Sequence, residues 1–389
     1  MAAGLGLTSP AAAALRSPLP VIEIDTRRAI RDDPKVAGRI RILERGRPVV
    51  GARMGIEVRG HSSQLFPKKQ YSVELRAARS LLGMPADDDW VLAAPYSDKS
   101  LIRNALAFHL ARWTGRYAPR TRFVELVRNG RHQGVYALTE RLELGAERID
   151  AGDDGRLLEL TFPFQARGEA GAFRTPRLKR PILFADPDRD DLSSREARAT
   201  RGAVGRLERA LYAGGGRAYR DLLDRPAAVD YVILQELLKN EDAFHGSTYF
   251  HWAAGGRVVL GPVWDFDVAM GNSDYGPSRR LRGWMTRERD WAERLWADRA
   301  FRRDVRRRWA ELRRAGLRRE VLGTVDAMSA RLARGPAGRN FRRWPILGRR
   351  VWPNPRDPRT GGYRTTWTAE TAFLRSWLDR RIAWLDRAL

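Results

Sequence analysis

Apolar residues recur along this chain with two different periods, and the change from one to the other divides it. In the first part the runs are short, alternating or β-branched, and bounded by Gly, Pro and charge. Val21–Ile24, Arg39–Leu43, Met54–Arg59 and Gln70–Leu75 read as strands. The connector Gly60–Lys69, GHSSQLFPKK, joins the last two. Leu101–Trp113 breaks the pattern, with apolar residues at 101, 102, 105, 106, 110 and 113, which is helical spacing. Ser97 or Asp98 in front of it suits an N-cap, and Arg103 and Asn104 then fall on the second turn. Arg122–Val127 and Gly134–Thr139 flank Asn129-Gly130, a strong hairpin signal, and Arg156–Phe162 is a further strand.

Residues 163–200 are polar, with Pro and Asp clusters, and read as a loop insertion. Ala203–Tyr212 and Tyr231–Leu238 are helical, the second capped by Asp230 or the preceding turn. Tyr249–Trp252 and Arg257–Leu260 form a hairpin around Gly255-Gly256. Beyond residue 284 the period is helical almost throughout. Leu295, Phe301, Val305, Trp309 and Leu312 line one face, and Leu374, Leu378, Ile382, Leu385 and Leu389 another. Both are core stripes. The expected class is α+β with two lobes: a strand-rich lobe over about 19–162, the insertion at 163–200, and a helical lobe over about 201–389.

Composition narrows this only slightly. The 389 residues suffice for two domain-sized cores or one large elaborated domain. The net charge of +25 attracts anions, whether nucleotide, nucleic acid, lipid or acidic protein. Arg far outnumbers Lys in an Ala/Gly/Arg-rich chain, which fits GC-rich coding. The basic residues are spread out without interleaved aromatics, so no specific nucleic-acid motif is present. Binding to an anionic polymer is a third, weaker reading. The absence of cysteine removes disulfides and thiol chemistry, and the five histidines show no HExxH spacing. Residues 1–18 are apolar and small, with an A-x-A-like stretch at Ala11–Ala14 but no basic start. They read either as the tail of a secretory signal, implying a secreted or periplasmic protein, or as a disordered terminus of a cytoplasmic one. No later run is long enough for a transmembrane helix.

Chemistry concentrates between Glu236 and Asn272. Asp242 follows a helix directly, with Ser247 five residues on. Asp265 comes 23 residues later in WDFDVAMGN, followed by Asp267. Carboxylates in apolar surroundings are costly unless they hold a metal or a proton, or answer arginines. Read as an extended strand, the segment puts Asp265 and Asp267 on one side, within about 7 Å of each other. Asn272 adds a neutral oxygen. Phosphoryl transfer needs this set: one Asp at the acceptor hydroxyl, an amide or hydroxyl metal ligand about five residues on, and a second Asp on the metal after a hairpin. The basic connector supplies Arg59, Gly60, Ser62, Ser63, Lys68 and Lys69 as candidates for phosphate, although the P-loop pattern is absent.

In combination these stretches resemble the CotH (spore coat protein H) family of atypical kinases, from about Leu19 to the end. The resemblance is carried by RGHSSQLFPKKQYSVEL, LLGMPADDDWVLAAPYSDKSLIRNALAFHLAR, YAPRTRFVELVRNGRHQGVYALTER, DYVILQELLKNEDAFHGSTYF, GPVWDFDVAMGN and the Trp-rich tail. It implies a distantly protein-kinase-like fold, ATP with Mg²⁺ or Mn²⁺, and phosphorylation of protein Ser or Thr. By motif, Asp242 is the catalytic-loop carboxylate and Asp265 the metal-binding Asp, with Asp267, Ser247 and Asn272 as further ligands. Two positions depart from the family. The strand GRLLELTF has Leu158 and Glu159 where a nucleotide-contacting Lys is expected, and Ser247 stands for the catalytic-loop Asn. The alternative is therefore a weakly active or inactive nucleotide-binding coat or envelope protein.

Overall fold

The computed structural model describes residues 15–169, 171–213, 218–253 and 255–389, so the Ala11–Ala14 stretch lies outside the described residues. Seven strands close into a barrel: β1 (Val21–Thr26), β2 (Val36–Glu44), β3 (Arg47–Arg59), β4 (Gln70–Arg79), β5 (Asp87–Ala93), β6 (Thr121–Arg128) and β7 (Arg131–Glu140). Neighbours pair antiparallel in the order β1-β2-β3-β4-β5-β7-β6, and a parallel β1–β6 pair, Val21 opposite Glu125, closes the ring. Alternation along each strand turns one side inward. Ile22, Ile24, Ile40, Ile42, Ile56, Val73, Leu92, Leu126 and Leu138 fill the interior. The strand runs are legible in the sequence, but the closure is not, and β5 escapes it behind three aspartates.

A second sheet, ordered β12-β11-β8-β10-β9, contains β8 (Arg156–Leu160), β9 (Phe173–Arg174), β10 (Pro181–Asp186), β11 (Thr248–Trp252) and β12 (Val259–Leu260). This corrects the insertion. Residues 163–200 are not simply a loop, because β10 pairs along β8, Ile182 opposite Leu160, and is buried there. Its short apolar run is hidden among Pro and Arg, and its partner lies some twenty residues upstream.

The remainder is helical: α1 (Arg103–Trp113), α2 (Ser194–Tyr212), α3 (Arg225–Leu238), α4 (Asp290–Ala297), α5 (Arg299–Arg314), α6 (Leu317–Ala333), α7 (Pro336–Arg343) and α8 (Trp367–Ala388). α3 is the axis, with every residue from Ala227 to Leu238 buried. It starts earlier than its apolar period suggests. Asp224, not Asp230, is the cap, accepting from the Ala227 amide at 2.8 Å, with Pro226 in the first turn. The expected stripe residues Phe301, Val305, Trp309 and Leu312, and Leu374, Leu378, Ile382 and Leu385, are buried against it.

A polar bolt ties the two halves. Asn340 of α7 accepts from the Val135 amide at 3.1 Å and from the Lys68 ammonium at 2.9 Å. Gly134, at φ +92°, leaves the necessary room, since a Cβ there would stand 2.4 Å from the Asn340 oxygen. Among the described residues no helix is long and apolar enough to cross a membrane.

Candidate active site

The loop after α3 is built by its own backbone. Lys239 ends the helix in the left-handed region, and Asn240 accepts from the Asp242 amide at 3.2 Å. The Asp242 carbonyl then accepts from the His245 and Gly246 amides, both at 2.9 Å. The carboxylate is thus carried on a closed turn. Glu241 beside it points the other way, into Arg289 at 2.7 Å and the Ser278 amide at 3.0 Å.

Trp264–Met270 is not a strand. Asp265 adopts φ +59°, so the side-by-side projection expected of Asp265 and Asp267 does not come from β alternation. The segment is an irregular turn, held from outside. The Asn104 oxygen accepts from the Phe266 amide at 2.6 Å, while its nitrogen donates to Asp267 at 3.0 Å. Asn104, placed on α1 by sequence, thereby becomes the clamp of this turn. Asn240 donates to the Trp264 carbonyl at 3.3 Å, and the Met270 amide reaches back to the Leu238 carbonyl at 2.8 Å. Five of the eleven described non-glycine residues with positive φ lie between 239 and 270: Lys239, Phe244, Ser247, Asp265 and Met270. Such conformations persist only where surrounding bonds over-determine them, and they gather at functional sites.

These turns bring Asp242, Ser247, Asp265 and Asp267, all half-buried, into one cluster. The Ser247 hydroxyl lies 3.4 Å from Asp265 Oδ2. Asp242 is pushed up to about 8, by burial first and then by the charge of Asp265. Burial also raises Asp265, against the pull of Ser247 and Arg59, and raises Asp267, with Asp265 and Asp98 adding to it. Among the described residues none of the three aspartates has a cation within ion-pair distance. Negative charge is in excess here.

That surplus is the test for a divalent cation. Hard oxygen donors from carboxylates and a hydroxyl suit Mg²⁺ or Mn²⁺. No group of three or more acidic or His side chains among the described residues is compact enough to hold a metal alone. The fit is therefore to an ion bound by one or two carboxylates and completed by a substrate's phosphates, the usual Mg²⁺ arrangement. Asn272 does not belong to it. Its nitrogen donates to the Asp267 carbonyl at 2.7 Å and to Ser97 at 3.1 Å, while its oxygen accepts from Asn354 at 3.0 Å. Asn272 braces the turn.

The basic connector divides in the same way. Lys68 is enclosed, with its ammonium bonded to Val135 O at 2.5 Å and Asn340 at 2.9 Å, and burial brings it down to about 7. Lys69 turns back onto the Gln64 carbonyl. Gly60 and Ser62 are exposed and Ser63 half-exposed around a short 3-10 turn, with the Ser63 hydroxyl packed beneath Gly60. The charges of Asp267 and Asp98 bear on Lys68, but its ammonium is engaged in the bonds to Val135 and Asn340; Arg59 faces Asp265 with no such bonds. Its guanidinium lies over the Trp264 ring at 5.5 Å. Asp265, Glu159 and Tyr249 bear on its charge, yet among the described residues no carboxylate reaches it within ion-pair distance.

Sequence reasoning missed Tyr249 and the placement of Glu159. The β11–β8 register sets them opposite each other, and the Tyr249 hydroxyl donates to Glu159 at 3.0 Å. Burial raises Glu159 to about 7, with Asp265 adding to it. Strand alternation from Ser247 could have flagged Tyr249, but the register itself is tertiary information. A cavity of 510 Å³ lies elsewhere, between α1, α3 and α5. Its Arg116, Arg308 and Arg307 pair with Asp230 and Asp304 at 2.7–2.9 Å, so its charges engage one another.

No curated protein matches this chain. Among solved structures it is similar to the proinflammatory kinase CtkA of Helicobacter pylori, at 9% identity and a TM-score of 0.35, over 82% of this chain and 95% of that one. The family described as CotH kinase protein matches residues 56–385, a span that holds the aspartate cluster and Arg59. The chain belongs to the CotH kinase family.

Proposed function

We propose that this protein transfers the γ-phosphoryl group of ATP to a Ser or Thr hydroxyl of a protein, with Mg²⁺ or Mn²⁺, on a distantly kinase-like fold. The observation that carries the proposal is the half-buried cluster of Asp242, Asp265 and Asp267 without a matching cation, beside an unpaired, ring-stacked Arg59. Family membership supports the kinase-like part of it.

The chemistry follows from the positions. The acceptor oxygen bonds to the γ-phosphorus, the bond to the bridging oxygen of ADP breaks, and the acceptor proton passes to the Asp242 carboxylate. Asp265, Asp267 and Ser247 would hold the cation, whose role when bound is to neutralise phosphate charge. Neutralisation would also lower Asp242, removing the part of its rise that comes from Asp265 and leaving the part due to burial. Arg59 offers planar N–H donors to the phosphates from a fixed stacked position, in place of Lys68, Lys69 or a β8 lysine. Positioning and charge do the catalytic work.

Radiolabelled ATP with wild type and Asp242→Ala tests this. Label should enter a protein acceptor or the enzyme itself, only with Mg²⁺ or Mn²⁺ and only in wild type. ATP and metal together should also raise the thermal midpoint. A second reading rests on Glu159, which puts an acid where the family resemblance expects a lysine. Nucleotide-linked stabilisation without any Asp242-dependent transfer would favour that reading, an inactive nucleotide-binding coat or envelope protein.

A further inference from the structure

Two aromatic side chains stand exposed beside Asp242. Tyr275 and Trp352 are 39% and 47% exposed, and their rings stack at 6.1 Å and 16°. Exposed aromatic pairs cost hydration and usually mark contact sites. This pair is held rigidly. The Asp274 amide donates to the Pro353 carbonyl at 2.8 Å, joining the two loops, and Asn354 bonds Asn272 at 3.0 Å beneath them. Ser273 accepts from the Tyr275 amide at 3.2 Å. Gly276 sits so close to Glu241 that a Cβ there would stand 2.1 Å from its carboxylate. Glu241 immediately precedes Asp242, so the platform is fixed to the catalytic loop itself. The Tyr275 phenol is raised by burial and then by Asp242, more than by any other charge.

The rim of the platform is basic. Arg279 and Arg280 follow Tyr275, and Arg349 and Arg350 precede Trp352, all four exposed. Against them stand Asp274, 3.8 Å from Arg350, and on the inner side Asp242, Glu241 and Asp265, whose charges bear on the Tyr275 phenol, so the positive charge belongs to the outer edge. A positive rim around an aromatic stack complements an acidic partner that carries an aromatic or long aliphatic side chain.

We propose that the Tyr275–Trp352 platform docks the acceptor polypeptide. It would take an acidic segment with an aromatic or long aliphatic residue near the serine or threonine, and the seated ring would deliver the hydroxyl to Asp242. The proposal rests on the transfer reading above, and its test separates the two.

The probe is a fluorescein-labelled peptide with a central serine, a phenylalanine two residues after it and glutamates elsewhere. One comparison peptide has alanine for the phenylalanine, and another has lysines for the glutamates. In fluorescence anisotropy the acidic aromatic peptide should bind at least tenfold more tightly than either. Trp352→Ala and Arg350→Glu should each abolish that preference without moving the thermal midpoint. Both residues are exposed, and the charge reversal serves if the Trp variant folds poorly. Equal binding of the three peptides, or a preference that survives both substitutions, overturns the proposal. Platform-dependent binding without phosphorylation keeps the docking site and removes the transfer reading. Asp242-dependent phosphorylation indifferent to Trp352 and Arg350 keeps the transfer reading and overturns the docking site.

Discussion

Glu236 and Asp242 lie six residues apart, are both shielded by protein, and are treated in opposite ways. Glu236 accepts from the Met285 and Thr286 amides at 2.8 and 2.7 Å, from the Thr286 hydroxyl at 2.7 Å and from Arg381 at 3.1 Å. Glu241 is likewise matched by Arg289 and the Ser278 amide. Asp242, Asp265 and Asp267 have no such cation. In a chain with 72 Lys and Arg, three unmatched aspartates in one cluster are not a shortage of partners. The matched acids tie elements of the helical half together; under the proposed function the unmatched ones would meet a cation and phosphates from outside. Burying a charge pair contributes little net stability, but breaking one is expensive.

That contrast can be broken in four places. Arg381→Leu strands Glu236 and removes bonds to the Glu236, Leu281 and Gly283 carbonyls. It should cost about 3–5 kcal/mol in urea unfolding. Asp242→Asn should do the reverse, leaving the midpoint unchanged or higher while phosphoryl transfer falls about 10²–10⁴-fold. If Asp242→Asn destabilises the fold like Arg381→Leu, the two classes of acid are not distinct. Arg59→Ala should weaken ATP about 10- to 100-fold by calorimetry, with Arg59→Lys between it and wild type. An unchanged affinity would return Arg59 to a purely stacking role on Trp264.

The smallest effect is in pH. Glu159 is raised to about 7 by burial and then by Asp265. A carboxyl raised in the folded state disfavours folding once ionised. Its penalty therefore starts above the unfolded value of about 4.3 and grows until the pH has passed about 7. Glu159→Gln removes the penalty. Between pH 5 and pH 8 the wild-type midpoint should fall relative to that variant by about 2 °C, a modest figure because Glu159 is only half-buried and the chain is long. Parallel curves would show Glu159 to be ionised already at pH 5.

Much of the scaffold was legible from local pattern. β1 to β4, α1 and the buried stripes of α5 and α8 announce themselves through period, although α1 starts at Arg103 behind Ile102 and not behind Ser97 or Asp98, so that Arg103 and Asn104 stand in its first turn. β10 does not, because PILFAD is six residues among prolines and arginines, and only β8 tells it to be a strand. The site shows the same division. Asp242 and Asp265 stand out as carboxylates in apolar company. Asn272, read as a neutral oxygen in the following turn, and Lys68, read as a phosphate contact in the basic connector, are both engaged in bracing. A polar residue in an apolar run signals that something must satisfy it, but not whether the partner is inside the protein or outside.

By itself the sequence determined the α+β order, the family and the two acidic segments, since each is written in consecutive residues. The tertiary structure decided the barrel's closure, the left-handed turn at Asp265, the Asn104 clamp, the meeting of Tyr249 with Glu159 and the freedom of Arg59. These depend on which distant groups satisfy one another's hydrogen bonds and charges. That is settled only when the chain is packed.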